Sequence, residues 1–179
     1  MAQLVSVAEI REAAARLHGV AVHTELAPIP RLSPPLLIKA ESLQPVGSFK
    51  LRGAYAAISA LPPADADRGV VAHSSGNHGY AVAYAAALMG VPAVIVVPET
   101  APAVKTGAIT ACGAELVTVA PTMAARLAAA DDLAARYGYA LIPPFGDRRV
   151  IAGQEPSGWR SWLTAPTRTS SSSQSVAAA

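Results

Sequence analysis

The stretch VVAHSSGNHGYAVAYAAALMGVPAVIVV (Val70–Val97) decides the architecture. Val70–His73 reads as a short apolar strand. A glycine-containing turn follows, then an alanine-rich helix from about Asn77 to Met89 that Gly90 stops, then a strand at Ala93–Val97. The same grammar continues downstream: helix Ala103–Ala111 closed by Gly113, strand Leu116–Ala120, helix Met123–Tyr137 stopped by Gly138, and strand Tyr139–Ile142. Short strands alternating with helices of about ten to fifteen residues predict βαβ units, an α/β class and a parallel sheet. Right-handed crossovers then line up the strand carboxyl ends along one edge, where such sheets usually bind ligands.

Towards the amino terminus the pattern changes. Ser6–His18 suits an amphipathic helix, with Ser6 and Glu9 spaced as a capping box. Residues 23–35 are rich in Pro and Leu and read as an extended connector, and Leu36–Lys39 as a short strand. Ser48 is placed to cap a helix reaching about Leu61, which Pro62-Pro63 ends. After Gln154 the text carries neither a helix nor a strand period. Residues 155–179 hold both tryptophans and a Ser170–Ser173 run, and predict a disordered tail.

Composition bounds the function. The 179 residues are 52% hydrophobic, ample for a core, with a formal net charge of +2. That charge is too small to advertise nucleic acid or an anionic membrane as partner. The longest aliphatic runs, such as Val94–Val97, fall far short of the ~20 residues of a membrane span. Met1–Ile10 shows no basic segment before an apolar stretch, and the single cysteine, Cys112, excludes an internal disulfide. The expectation is a soluble, cytoplasmic chain. Cys112 reads as a small buried residue. His18, His23 and His73 lack metal-ligand spacing, and Asp131-Asp132 and Arg148-Arg149 read as solvated charges.

Two segments carry chemistry. Only three lysines exist, Lys39, Lys50 and Lys105. Lys50, in GSFKLRG (Gly47–Gly53), opens a helix beside Arg52, so its ammonium form is disfavoured and the nucleophilic amine favoured. The second segment, HSSGNHG (His73–Gly79), follows a strand and opens a helix. Its backbone N–H groups, hydroxyls and amide suit an anion such as a carboxylate. Each segment alone also reads as an ordinary surface lysine or a capped βα turn.

Together, ESLQPVGSFKLRGA (Glu41–Ala54) and SSGNHG (Ser74–Gly79) closely resemble the fold-type II (tryptophan-synthase-β-like) pyridoxal-phosphate enzymes. Within them the chain is similar to the threonine/serine dehydratase and serine racemase branch. VPETAPAVKTGAITACGAELV (Val97–Val117) and PPFGDRRVIAGQ (Pro143–Gln154) extend the likeness over roughly residues 20–154.

The resemblance implies that Lys50 holds pyridoxal phosphate covalently and then removes the substrate's α-proton. It implies that Phe49 lies against the cofactor ring and that Asn77 bonds the ring's 3′ oxygen. Ser74, Ser75, Asn77 and His78 would bracket the substrate carboxylate. Ser75 matches the opposite-face base of the racemases. The implied reaction is loss of the β-hydroxyl of threonine or serine, giving a 2-oxo acid and ammonia, with racemization as the alternative and a non-catalytic fragment as a further one. Family members are often homo-oligomers. Tyr80 departs from the usual Gln.

The resemblance also divides the chain. Residues 1–45 would belong to a large domain, 46–145 form a small βα domain, 146–154 begin the return, and 155–179 are a non-family tail. In the family the matching Gln is followed by Gly-Thr-hydrophobic-Gly-Leu-Glu-Ile, and later by a valine run leading into glycines. Reading the codons of residues 155–179 one base earlier permits both segments in that order. The expectation is a single base lost near codon 154, with the second half of the large domain, including the Gly-rich phosphate loop, missing and the chain inactive as it stands.

Overall fold

The computed structural model describes residues 4–30, 36–74 and 76–164. Helix α1 (Val7–Arg16) begins at the expected capping box: Ser6 Oγ accepts from Glu9 N, while Glu9 accepts from Ser6 N. The connector contains a strand, β1 (Leu26–Ile29), paired antiparallel with β2 (Leu36–Lys39). Helices α2 (Lys50–Ser59) and α3 (Pro63–Arg68) follow. Pro63, expected only to end a helix, also starts one, because its fixed φ and missing N–H suit a first helical turn.

Then come β3 (Val70–His73), α4 (Asn77–Met89), β4 (Ala93–Pro98), α5 (Ala103–Ala111), β5 (Glu115–Val119), α6 (Met123–Tyr137) and β6 (Ala140–Leu141). Gly90 and Gly138 end α4 and α6 in the left-handed conformation, which costs a glycine little.

The four strands β3–β6 form one parallel sheet in the order β5-β4-β3-β6, with Val70 opposite Ala93 on one side and Ala140 on the other. Alternation along the strands sorts the core. Val70, Ala72, Ile95 and Val97 pack with buried residues of α2 and α4 and with Ile109 of α5. Val71, Val94 and Val96 pack with Ala130, Leu133 and Ala134 of α6 on the other face. The chain builds outward from β3 to β5, then α6 returns it to β6 on the far side of β3. The crevice between the carboxyl ends of β3 and β6 is therefore the switch point where open α/β sheets bind ligands.

The tail departs from expectation. Arg148–Thr164 is one helix, α7, so residues 155–164 are helical; residues 165–179 lie outside the described residues. The helix runs through Pro156, which removes the N–H that Ala152 O would have accepted. Its first turns are anchored by packing: Val150 and Ala152 are buried, and Arg148 forks onto Glu9 of α1 at 2.9 Å. Arg148 is thus an inter-helix clamp, and Arg149 pairs with Asp147. The sequence, which reads both as solvated, misses these partners because they lie on other elements or in a loop.

Helices α2 and α7 touch backbone to backbone. A Cβ on Gly153 would sit 2.5 Å from Ala56 Cβ and 2.6 Å from Arg52 O. Gly153→Ala is therefore expected to destabilise the chain by about 1–3 kcal/mol through overpacking, read as a lower urea midpoint at unchanged slope. An unchanged midpoint would mean that the two helices do not cross here.

Candidate active site

The candidate residues gather at the β3–β6 crevice. Lys50, first residue of α2, is half-buried, and its Nζ donates to Pro144 O at 2.7 Å just beyond β6. The same ammonium lies 5.0 Å from the centroid of the Phe49 ring. Burial lowers the Lys50 pKa below the usual lysine value, favouring the amine. Arg52 is not the cause. Its guanidinium is committed to Glu41, through Nε at 2.8 Å and a second nitrogen at 2.9 Å, and to Val22 O at 3.1 Å. Glu41 also accepts from Thr24 Oγ1 at 2.8 Å. Burial pushes the Glu41 carboxyl up, but the Arg52 and Thr24 hydrogen bonds outweigh it, and the net shift is downward. This ion pair ties the segment before α2 to the helix that presents Lys50.

Ser48 does not cap α2: Phe49 is the capping residue and makes no side-chain cap bond, while Ser48 Oγ is buried without a partner among the described residues. The helix begins at Lys50, one residue later than capping by Ser48 predicts, although Phe49 already has helical φ and ψ.

At the end of β3, Ser74 Oγ accepts from Gly76 N at 3.0 Å and so shapes the turn into α4. Ser75 lies outside the described residues. Among the described residues no side chain caps α4, so the N–H groups of its first turn suit an anion. Asn77 is exposed, and its Oδ1 accepts from Lys105 Nζ at 2.6 Å.

His78 points elsewhere. Its ring is buried, with Nε2 2.9 Å from Ile142 O. A carbonyl only accepts, so Nε2 carries the proton and Nδ1, buried and without a partner among the described residues, is left as an acceptor. What His78 offers a carboxylate is its backbone N–H, not its imidazole. A Cβ at Gly79 would meet Ile95 Cγ2 at 2.8 Å, so this glycine lets α4 lie close on the sheet.

The site thus brings together Lys50, Phe49, Ser74, Asn77 and His78. Sequence reasoning missed Lys105, Pro144 and Ile142. Lys105 had one signal, membership of a three-lysine set inside the resembling stretch 97–117; the other two contribute only carbonyls. His73 is buried, and Cys112, expected to be buried, is half-buried where α5 ends. Among the described residues no cluster of His, Cys, Asp and Glu suits a metal, and no helix is long and apolar enough to cross a membrane.

Burial holds the His78 pKa near 4, below its ordinary 6.5, and shifts His73 in the same direction. The unfolded chain therefore takes up these protons first as the pH falls. Stability present above pH 6.5 should decline towards pH 4, by about 3 kcal/mol for His78 alone. The lowered carboxylates Glu9, Glu41 and Asp147 act only below about 4.5. Urea midpoints between pH 6.5 and 4.5 isolate the histidines, and His78→Gln should flatten the decline. An equal slope in the variant would remove His78 from this account.

Comparison with known proteins identifies the family. A family model described as pyridoxal-phosphate dependent enzyme matches residues 19–169. That match passes Gln154, where the motifs end. The chain is 45% identical over 127 residues to an L-threo-3-hydroxyaspartate ammonia-lyase of Saccharomyces cerevisiae, covering 71% of this chain and 39% of that one. It is 44% identical over 147 residues to a biosynthetic L-threonine dehydratase of Burkholderia multivorans, covering 78% and 29%. The structure of maize serine racemase superposes with a TM-score of 0.87 at 33% identity, covering 92% of this chain and 51% of that one. The chain spans less than half the length of these two curated relatives.

Proposed function

This chain belongs to the pyridoxal-phosphate-dependent enzymes, and from that premise we propose that its β3–β6 crevice serves β-elimination from a hydroxy amino acid. Threonine or serine would lose its β-hydroxyl and yield a 2-oxo acid and ammonia. The observation that carries the reading is the convergence of an amine and an anion site. Lys50 Nζ rests on Pro144 O, and two residues earlier Ile142 O holds His78 in the first turn of uncapped α4.

The residues present fit the cofactor. An amine lowered by burial suits an aldehyde, and uncapped helical N–H groups suit an anion. Ser48 Oγ and His78 Nδ1 are buried polar atoms that find no partner among the described residues. Lys50 would hold pyridoxal phosphate, with Phe49 against its ring and Asn77 at its 3′ oxygen. When bound, the cofactor supplies an electron sink for the pair left by the departing α-proton.

The chain's own residues do the rest. The first-turn N–H groups of α4, shaped by Ser74, orient the substrate carboxylate. Lys50 Nζ, released from Pro144 O, accepts the α-proton. We read residues 46–145 as the small domain around this site, and the cytoplasm as its compartment. Racemization is the second reading. It is favoured by Ser75, which matches the opposite-face base, and by the likeness to maize serine racemase.

Incubation with pyridoxal phosphate, borohydride reduction and peptide mapping test the cofactor site, with label expected on Lys50. Label chiefly on Lys39 or Lys105 would refute it. Assays for 2-oxobutyrate from threonine, pyruvate from serine and D-serine from L-serine separate elimination from racemization.

A further inference from the structure

We propose that Lys105 is a positioning residue that locks the Asn77 carboxamide so that only its N–H donors face the cofactor's ring oxygen. The inference rests on the reading of Asn77 as partner of that oxygen.

Lys105 and Ile109 are four residues apart in α5 and so share a face. Ile109 is 2% exposed, and its Cδ1 would lie 3.4 Å from a Cβ on Gly79, which seats α5 against the first turns of α4. Lys105, one turn earlier, is half-buried and donates from Nζ to Asn77 Oδ1 at 2.6 Å, two residues before Gly79. Among the described residues Lys105 enters no ion pair; Asn77 is the partner the structure gives it.

An amide and an ammonium are not symmetrical partners. The ammonium has donors and no acceptor, so a flipped amide would set N–H against N–H. The cation therefore decides which end of Asn77 is free, and the free end is the NH2 group. A carboxamide polarised by a cation at its oxygen is also a better donor at its nitrogen. A ring oxygen facing such a donor is favoured in its ionised form. Without Lys105, Asn77 can turn its carbonyl towards that oxygen, which an ionised oxygen repels.

The test titrates pyridoxal phosphate into the 179-residue chain and into Asn77→Ala, Lys105→Met, Lys105→Arg and the Asn77→Ala/Lys105→Met pair. Cofactor absorption and fluorescence report affinity and the ratio of the ionised to the neutral ring-oxygen band. Lys105→Met should weaken binding about tenfold and shift the bands towards the neutral form, the scale of one charged hydrogen bond. Lys105→Arg, also donor-only, should stay within about twofold of the parent, and Lys105→Met should add less than about twofold in the Asn77→Ala background. If Lys105→Met does not fold, Lys105→Gln takes its place, with an intermediate effect expected.

Parent-like behaviour of Lys105→Met beside a defective Asn77→Ala would overturn the role of Lys105 and leave that of Asn77. Full additivity in the double variant would show that Lys105 acts on its own and would equally overturn it. Parent-like behaviour of Asn77→Ala would overturn the reading of Asn77 and this inference with it. The same variants made in the version with one base restored near codon 154 repeat the comparison with a glycine run present, and no saturable signal in either parent would overturn both.

Discussion

Lys50→Ala is expected to abolish borohydride-trapped cofactor on the 179-residue chain and, in any catalytically competent form, to lower turnover on the order of 1,000-fold or more. The size follows from two tasks resting on one atom. Lys50 Nζ is the amine proposed to hold the cofactor, and it is also the base proposed to take the α-proton. Burial already tilts it towards the neutral form that both tasks require. The other lysines are engaged elsewhere: Lys39 Nζ donates to Thr24 O at 2.7 Å and Lys105 Nζ to Asn77. Lys50→Arg should fare no better, because a guanidinium stays charged and lacks the amine. Intact trapping in Lys50→Ala, mapped by mass spectrometry, would sink the assignment.

Restoring one base near codon 154 is expected to raise the proposed elimination at least about 100-fold over the 179-residue chain, since a misplacement of about 1 Å can cost that much. The argument is one of placement. The cofactor's phosphate is its natural handle, and several backbone N–H donors in a glycine-rich loop make a suitable cradle. Residues 155–179 hold one glycine, Gly158, and no glycine run, although the family match reaches residue 169. In the shifted frame the same bases permit a glycine after Gln154 and a run of glycines after the valines. The measurement is 2-oxobutyrate and pyruvate formation by both versions with added pyridoxal phosphate. Equal turnover would show the shifted reading to be wrong.

How much of this was legible beforehand varies by element. The boundaries of β3, α4, α5 and α6 follow from glycine stops and apolar runs, which are local signals. The strands β1 and the helices α3 and α7 were less legible. Pairing, an amino-terminal proline and anchorage on other helices make them, and none of these is a period in the text. At the site, Lys50 and the turn after β3 could be named from residue type and position. The imidazole of His78 could not be assigned, because its partner is a carbonyl sixty-four residues away.

The sequence by itself determined the alternating strands and helices, the family, the amine that opens α2 and the turn, proposed to bind an anion, that opens α4. Each is a property of a contiguous stretch, governed by backbone preference, apolar spacing and motif. The tertiary structure alone decided that α6 carries the chain back across β3, so that the carbonyls after β6 meet Lys50 and His78. It also decided that Arg52 serves Glu41 rather than Lys50, and that Lys105 holds Asn77. The reason is physical: hydrogen bonds and ion pairs between distant segments depend on strand order and helix packing, which only the folded core fixes.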